Sequence, residues 1–205
     1  MSVRCAASPY DEAVPDLAAA VSPHLEADPR PRPAPGDRLA AVLALVIAAE
    51  EPALLFTERA AEMSRHPGEV SFPGGLAEPG DGDLRATALR ETQEEIGIDP
   101  GVVTVLGALP PIHTFVSAIL VTPFVGILAS LPTLVVSVGE IARVLIVPLR
   151  ELAAAEERRV IQEPGGTTWR GWWYELPQTT VWGATGAMVH ELLTVLRREA
   201  AWSIA

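Results

Sequence analysis

The most informative stretch of this 205-residue chain reads Leu89-Arg90-Glu91-Thr92-Gln93-Glu94-Glu95-Ile96-Gly97-Ile98. A helix turns by about 100° per residue, so side chains spaced by three and four positions share one face. Glu91, Glu94 and Glu95 have this spacing, and the stretch therefore predicts a helix on which three carboxylates converge. The apolar positions of the same helix fall on the adjoining sector. We expect the acidic face to lie at the edge of the protein core.

Three carboxylates at this spacing are suited to a divalent cation. Like charges one helical turn apart destabilise each other by a few tenths of a kcal/mol, roughly, and a bound cation reverses that effect. Mg²⁺ and Mn²⁺ take hard oxygen ligands, normally one or two carboxylates with water and substrate phosphate oxygens. We therefore expect a metal at Glu91, Glu94 and Glu95, with Arg90 bracing Glu94 four residues later. An ordinary solvated helix face is the alternative, and the helix alone does not decide between them.

Strands are predicted on both sides of this helix. Asp83 is placed to cap it, Leu84 to begin it and Gly97 to end it in the left-handed conformation. Apolar runs predict strands over 39–49, 53–57, 69–72, 102–109, 116–128 and 143–147. A short helix over 149–157, a Trp-rich strand pair over 169–182 and a final helix over 184–200 complete the order. Mixed strands with one helix inserted early and another at the end predict an α/β sandwich.

The N-terminal 36 residues differ in composition from the rest of the chain. A short helix is predicted around 16–21, followed by a proline-rich linker that ends at Gly36. We expect a catalytic domain over 37–205, because a chain of this size favours one core with appendages. Cys5 is the single cysteine, which excludes a disulfide framework and indicates a reducing compartment. No signal peptide is recognisable, and a cytoplasmic protein is expected.

Charge and composition exclude several classes of function. The net charge of −11 argues against a nucleic-acid partner, because such binding needs a broad basic face. The chain contains fifteen arginines and no lysine. It therefore has no Walker A loop, no pyridoxal-phosphate Schiff base and no lysine nucleophile. Anionic substrates must be met by arginine, by backbone N–H groups or by metal ions.

One segment is long enough to cross a membrane. Residues 114–139 carry no charge, and a stretch of this length could span a bilayer. Pro123 and Pro132 interrupt it, and its content of Val, Ile and Thr is typical of buried strands. We therefore expect strands here and no membrane partner.

The segment from Gly74-Gly75 to Ile98 resembles the Nudix box. In that pattern a Gly is followed after five residues by a Glu, and after seven more by Arg-Glu, an apolar residue, any residue, Glu-Glu, any residue, Gly and an apolar residue. Two departures stand out: Gly82 occupies the place of the first Glu, and Thr92 the place of an aliphatic residue. A loop one residue longer, with Asp81 or Asp83 near the missing Glu, would account for the first.

This longer loop is similar to that of the coenzyme A pyrophosphatase branch of the Nudix hydrolases. Further segments resemble the same branch: 54–60 (LLFTERA), 65–75 (RHPGEVSFPGG), 106–112 (LGALPPI) and 181–186 (VWGATG). The resemblance implies a Nudix-type α/β/α sandwich with a mixed sheet, whose box helix carries the metal site. It also implies metal-dependent cleavage of coenzyme A, or its derivatives, at the diphosphate to give 3′,5′-ADP and 4′-phosphopantetheine.

The resemblance also implies roles for individual residues. Glu94 and Arg90 are expected to be catalytic, together with Glu140, because Nudix enzymes commonly recruit an acid outside the box. Arg59, Arg65, Gly74 and Gly75 are expected at the substrate, since guanidinium groups suit the phosphates of coenzyme A, including its 3′-phosphate. Glu69, His66 and His113 are further candidates for a general base, and a structural role is the alternative for each.

Other functions remain open at this point. Another diphosphate, such as a nucleoside-diphosphate sugar or a dinucleotide, would need the same box. A Nudix-like binding module without catalysis is a different class, and the altered first Glu position is the only hint of it. The aromatic strands over 169–182 leave a homodimer open.

Overall fold

The structure is a computed structural model that describes residues 13–61, 68–114, 118–162 and 168–198. Its helices are α1 (Ala13–Val21), α2 (Leu84–Ile96), α3 (Leu149–Ala155) and α4 (Gly183–Arg198). Its strands are β1 (Arg38–Ile47), β2 (Ala53–Arg59), β3 (Val70–Ser71), β4 (Gly74–Leu76), β5 (Thr104–Ala108), β6 (Ile112–His113), β7 (Ile119–Leu128), β8 (Ile141–Pro148), β9 (Glu156–Gln162), β10 (Thr168–Leu176) and β11 (Thr179–Val181).

Eight of these strands form a mixed sheet. Its main path runs β3-β2-β1-β7-β5, with β4 beside β1, β6 beside β7 and β8 beside β2. The β1 and β7 strands are parallel and in register from Arg38↔Ile119 to Ile47↔Leu128, whereas the other pairs are antiparallel. A second, antiparallel sheet has the order β11-β10-β9.

The eight-stranded sheet is covered on both faces. Alternate β1 residues Ala41, Leu43 and Leu45 pack with Ala88 and Ile96 of α2. The intervening β1 residues point the other way, into a larger core shared with α1, α3 and α4. This two-sided burial explains why β1 is apolar nearly throughout. The predicted three-layer α/β/α sandwich is confirmed.

The predicted bounds of the box helix are confirmed. Asp83 Oδ1 accepts a hydrogen bond from Ala86 N at 2.7 Å, and the helix ends at Gly97, whose φ is +74°. Several other predicted bounds differ from those observed, and two of the differences have an identifiable cause. The helix predicted over 149–157 ends at Ala155, because the following residues begin an unpredicted strand, β9. The strand predicted from residue 102 begins at Thr104, since Pro100–Val102 forms a 3₁₀ turn.

The long uncharged segment has two structural roles. Its first part forms β7 in the middle of the sheet. The part after residue 130 lies across the end of α2, where Val135 N donates to Ile96 O at 3.0 Å and Ser137 N donates to Glu95 O at 2.8 Å. Among the described residues, no helix has the length and apolar character needed to cross a membrane.

The N-terminal segment packs against the rest of the fold. Leu17 and Val21 of α1 are buried in the larger core. Glu26 and Ala108 exchange backbone hydrogen bonds of 2.9 and 2.8 Å, so the chain runs beside β5 here. The linker then continues past β6 before it enters β1 at Arg38.

Candidate active site

The three carboxylates of α2 range from exposed to buried. The Glu94 side chain is 57% exposed and that of Glu91 is 19% exposed, whereas Glu95 is only 5% exposed. This gradient is what the sequence predicts for an acidic face at the edge of a buried one. The three side chains therefore extend from the solvent-exposed side of α2 to its buried side.

Arg90 ties the acidic face to the loop before the helix. Its Nη1 donates to Glu91 Oε1 and to Glu94 Oε2, both at 3.0 Å. Its Nε donates to Asp81 Oδ1 at 2.9 Å, and its Nη2 donates to Asp81 Oδ2 at 3.1 Å and to Leu76 O at 3.2 Å. A guanidinium group has five N–H donors, so Arg90 uses its full capacity here. This holds Glu91 and Glu94 by one oxygen each.

Of the two loop acids considered in place of the missing first Glu of the box, Asp81 is the one that contacts Arg90. Its carboxylate is bound by Arg90, by Thr87 Oγ1 at 2.8 Å and by Glu78 N at 2.9 Å. The hydrogen bond from Arg90, and then those from Glu78 and Thr87, hold its pKa well below the usual range of a carboxyl. Asp83, the other candidate, only caps the helix.

Gly74 and Gly75 allow β4 to lie directly beneath α2. A Cβ atom on Gly75 would lie 2.5 Å from the carboxyl carbon of Glu91, and one on Gly74 would lie 2.6 Å from Val42 Cα. The φ of Gly74 is +154°, a conformation that side chains rarely adopt. The backbone N–H of Gly74 donates to the Glu95 carboxylate. A larger residue at position 74 would therefore force β4 away from β1, and one at position 75 would displace the carboxylate of Glu91.

Glu95 is buried with one carboxylate oxygen unsatisfied. Within the described part of the chain, its Oε2 has no hydrogen-bond partner. Burial, and after it the charges of Glu91 and Glu140, raise its pKa to about 8 against the opposing effects of Gly74 and Arg59. Burial likewise raises the pKa of Glu91. Unsatisfied buried carboxylates are costly in a folded protein, so Glu95 is a site that a cation would stabilise.

Two residues outside the box helix lie near Glu95. Arg59 ends β2 at an irregularity in its pairing with β8, and its charge lowers the pKa of Glu95. Its buried Nε has no hydrogen-bond partner among the residues that the structure describes. Glu140 is exposed and fixed through its backbone, whose carbonyl accepts from Ala60 N at 2.8 Å. The charges of both Arg59 and Glu140 thus act on Glu95 of α2.

Of the remaining predicted residues, the structure describes Glu69 and His113. Arg65 and His66 are outside the described residues. Glu69 O accepts from Arg59 N at 3.0 Å, which places the backbone of Glu69 beside the end of β2. His113 lies at the far side of β7, with its Nδ1 3.4 Å from Asp37 Oδ2.

The acidic face suits a metal ion whose coordination is completed by water and by the substrate. Within the described ranges, no three His, Cys, Asp or Glu side chains form a ready-made ion site. Arg90 explains this, because it holds one oxygen of Glu91 and one of Glu94. Magnesium sites commonly use only one or two carboxylates and complete their coordination with water and phosphate oxygens. The unsatisfied Glu95 Oε2 and the repulsion between Glu91 and Glu95 are consistent with such a site.

A second polar cluster, which the sequence did not predict, lies away from α2. Glu156 accepts hydrogen bonds from Tyr174 Oη at 2.9 Å and Arg197 Nη1 at 2.6 Å, and its Oε1 lies 3.0 Å from His190 Nδ1. Burial would raise the pKa of Glu156, but these three contacts outweigh it and lower the pKa. Trp172 stacks on His190 with ring centroids 3.7 Å apart. The cluster connects β9, β10 and α4, and its partners are too far apart in sequence to be found by spacing.

Comparisons with known proteins find relatives of this chain. A family model described as the NUDIX domain matches residues 37–164. An uncharacterized Nudix hydrolase NudL of Pectobacterium atrosepticum is 40% identical over 171 residues, which are 82% of this chain and 88% of that protein. The protein of the same description from Photorhabdus laumondii is 38% identical over 165 residues, 80% of this chain and 88% of its own. A solved structure of a C. elegans Ap4A hydrolase in a binary complex is 21% identical, with a TM-score of 0.46 over 56% of this chain and 82% of that one.

Proposed function

The chain belongs to the Nudix hydrolase family, and we propose that it is a metal-dependent pyrophosphohydrolase of coenzyme A or its derivatives. The reaction adds water across the diphosphate and releases 3′,5′-ADP and 4′-phosphopantetheine. The observation that carries the hydrolase part is the buried Glu95, whose Oε2 lacks a partner beside the charge of Arg59.

Glu91, Glu94 and Glu95 are the residues that would hold Mg²⁺ or Mn²⁺. When bound, the metal supplies charge neutralisation at the diphosphate and lowers the pKa of water. The protein's own contribution is to hold the carboxylates in place. Arg90 fixes one oxygen each of Glu91 and Glu94, which leaves the helix face oriented before any substrate arrives. Such preorganisation reduces the cost of assembling the site during the reaction.

Arg59 and Glu140 are proposed as the groups that complete the site from outside the box. The Nε of Arg59 is a buried donor that no described residue satisfies, and a phosphate oxygen is a suitable acceptor for it. Because Arg59 lies close enough to Glu95 to lower its pKa, we assign it to the diphosphate. Glu140 is exposed and positioned by its backbone, and it is the candidate acid or base facing the attacking water.

The preference for coenzyme A rests on the sequence around this site. The segments LLFTERA and RHPGEVSFPGG resemble the coenzyme A pyrophosphatase branch. Arg59 belongs to the first of these segments and Gly74 and Gly75 to the second. The segments that resemble this branch therefore include Gly75, which lies against Glu91, and Arg59, whose charge lowers the pKa of Glu95.

The decisive experiment is product identification. The full-length protein is incubated with coenzyme A and millimolar Mg²⁺ or Mn²⁺, and the products are identified by mass spectrometry. We expect 3′,5′-ADP and 4′-phosphopantetheine, with much slower turnover of ADP-ribose, nucleoside-diphosphate sugars and dinucleoside polyphosphates. Faster hydrolysis of one of these compounds would identify it as the substrate in place of coenzyme A. Hydrolysis of none of them would favour a binding module.

A further inference from the structure

A second concave surface lies where the N-terminal linker passes β6. This cleft has a volume of about 330 Å³, within the roughly 300–1,000 Å³ typical of small-molecule sites. Three prolines, Pro29, Pro31 and Pro111, form much of its wall, and Glu26 and Arg32 contribute charged groups. We call it the linker cleft. It shares no residue with the Glu156 cluster or with the face formed by Glu91, Glu94 and Glu95 on α2, which we call the metal face.

One lining residue of the linker cleft points to the same face of the sheet as α2. Gly75, which lies under Glu91, is in register with Ala41, and Ala41 is in register with Thr122 on β7. Leu120, which lines the cleft, is two residues from Thr122 and therefore points to the same side. His113, another lining residue, is in register with Leu120.

The distance between the two sites suits the two ends of one substrate. From Gly75, Leu120 is two strands across and two residues along, which is roughly 12 Å at about 4.8 Å per strand and 3.3 Å per residue. This span is comparable with that from a diphosphate across the ribose to the far edge of an adenine base. One extended nucleotide could therefore reach both the metal face and the linker cleft by passing over the side chains that cover the buried Ala41 and Thr122.

The chemistry of the cleft is that of a nucleotide with an additional phosphate. Proline rings offer flat apolar surfaces for a base, and the Glu26 carboxylate can accept from an exocyclic amino group. Arg30 is paired with Asp28 at 2.9 Å. Arg32, in contrast, forms no ion pair within the part of the chain that the structure describes. Its guanidinium is thus available for a phosphate, for which an arginine fork is well suited.

We propose that the linker cleft binds the 3′-phosphorylated adenosine end of the substrate, with Arg32 contacting the 3′-phosphate and the prolines packing on the base. The inference rests on the proposed function for the identity of the substrate. It follows from the assignment of Arg59 to the diphosphate, which leaves the 3′-phosphate without a partner at the metal face. The N-terminal linker would then be part of the specificity machinery.

The test compares ligands that differ only in the 3′-phosphate. Calorimetry measures the binding of 3′,5′-ADP and of 5′-AMP to the full-length protein and to Arg32→Gln. Steady-state kinetics measure kcat/KM for coenzyme A and for dephospho-coenzyme A. In Arg32→Gln we expect the affinity for 3′,5′-ADP and the kcat/KM for coenzyme A to fall by about tenfold or more, the loss of one charge-assisted hydrogen bond. Binding of 5′-AMP and turnover of the dephospho substrate should stay within about twofold of wild type.

Arg170→Gln is the matched control, because Arg170 is an exposed arginine on the second sheet. It should change neither the preference for 3′,5′-ADP over 5′-AMP nor the preference for coenzyme A over dephospho-coenzyme A. The proposal would be overturned if Arg32→Gln kept the wild-type preference for ligands with the 3′-phosphate, or if the wild-type protein did not bind 3′,5′-ADP. The two proposals fail separately. Arg32-dependent binding of 3′,5′-ADP without coenzyme A hydrolysis would remove the proposed reaction and keep the cleft. Hydrolysis of coenzyme A with an equal preference for the 3′-phosphate in wild type and Arg32→Gln would keep the proposed reaction and remove the cleft.

Discussion

The carboxylate of Asp81 accepts two hydrogen bonds from the guanidinium of Arg90, at 2.9 Å from Nε and 3.1 Å from Nη2. This bidentate pair leaves Nη1 of Arg90 for Glu91 and Glu94. Asp81 thereby fixes the orientation of the group that orients two of the three carboxylates. It lies in the loop whose extra length is the main departure from the Nudix box.

Asp81→Asn should lower both activity and thermal stability. An amide can accept only through one oxygen, so the bidentate pair is lost and Arg90 is free to take up other orientations. We expect kcat/KM to fall by about 10- to 100-fold, the range for residues that orient metal ligands. Asp83→Asn is the control, because Asn caps a helix as well as Asp does. Equal effects of the two substitutions on turnover would mean that Asp81 acts only through loop stability.

The local features of the site were predictable because they depend on short-range physics. The spacing of Glu91, Glu94 and Glu95 determined their shared face, and Asp83 and Gly97 determined the ends of α2. The choice between Asp81 and Asp83 could not be made from the sequence. It depends on how the loop folds back over Arg90, and both residues are equally close to the expected position.

Features that depend on tertiary contacts were missed. The strand β9 reads EERRVIQ, and its charges hide the apolar alternation that marks a strand. Its pairing with β10, and the network around Glu156, depend on contacts with residues that are distant in the chain. The short strands β4 and β6 were also missed, because two or three residues give no periodic signal.

Glu94→Gln and Glu95→Gln should each reduce turnover by orders of magnitude while the fold is retained. Each substitution keeps the side-chain volume but removes a charge that the proposed metal site needs. The measurement is kcat at saturating metal, with circular dichroism as the check on folding. Glu151→Gln, on α3 in the opposite layer, should keep wild-type activity. Full activity in either α2 variant would exclude that residue as a required ligand.

Glu95→Gln should also stabilise the metal-free protein at high pH. The folded-state pKa of Glu95 is about 8, against 4.5 for the ordinary carboxyl. A raised folded-state pKa gives a stability contribution that is complete below 4.5 and lost as the pH rises through about 8. Because a tenfold change in proton affinity corresponds to about 1.4 kcal/mol, the wild-type protein should lose up to a few kcal/mol of unfolding free energy over this window. The variant, which cannot ionise there, should not.

Denaturant unfolding in EDTA at pH 5 and pH 8.5 checks this. The difference in unfolding free energy between the variant and the wild-type protein should grow with pH in favour of Glu95→Gln. A difference that is constant between the two pH values would mean that Glu95 is not desolvated in solution.

Divalent metal should raise the melting temperature of the wild-type protein. A ligand that binds only the folded state stabilises it in proportion to the logarithm of its concentration, by about 2.7 kcal/mol at one hundred times Kd. Binding also relieves the repulsion between Glu91 and Glu95. Differential scanning fluorimetry with a Mg²⁺ or Mn²⁺ titration measures the shift, which should be smaller in Glu95→Gln. The absence of any shift at millimolar metal would argue against a metal site on α2.

Arg59→Gln should weaken coenzyme A and dephospho-coenzyme A equally. The charge of Arg59 acts on Glu95 and Arg59 does not line the linker cleft, so its proposed partner is the diphosphate that both substrates contain. We expect each kcat/KM to fall by an amount equivalent to roughly 1.5–3 kcal/mol, the range for hydrogen bonds to charged groups. Glu58 is the neighbouring β2 residue and pairs with Arg143 instead, so Glu58→Gln serves as a control for strand stability. A loss confined to coenzyme A would place Arg59 at the 3′-phosphate. That result would transfer to Arg59 the discrimination that we assign to Arg32, and it would reverse the orientation of the substrate between the two sites.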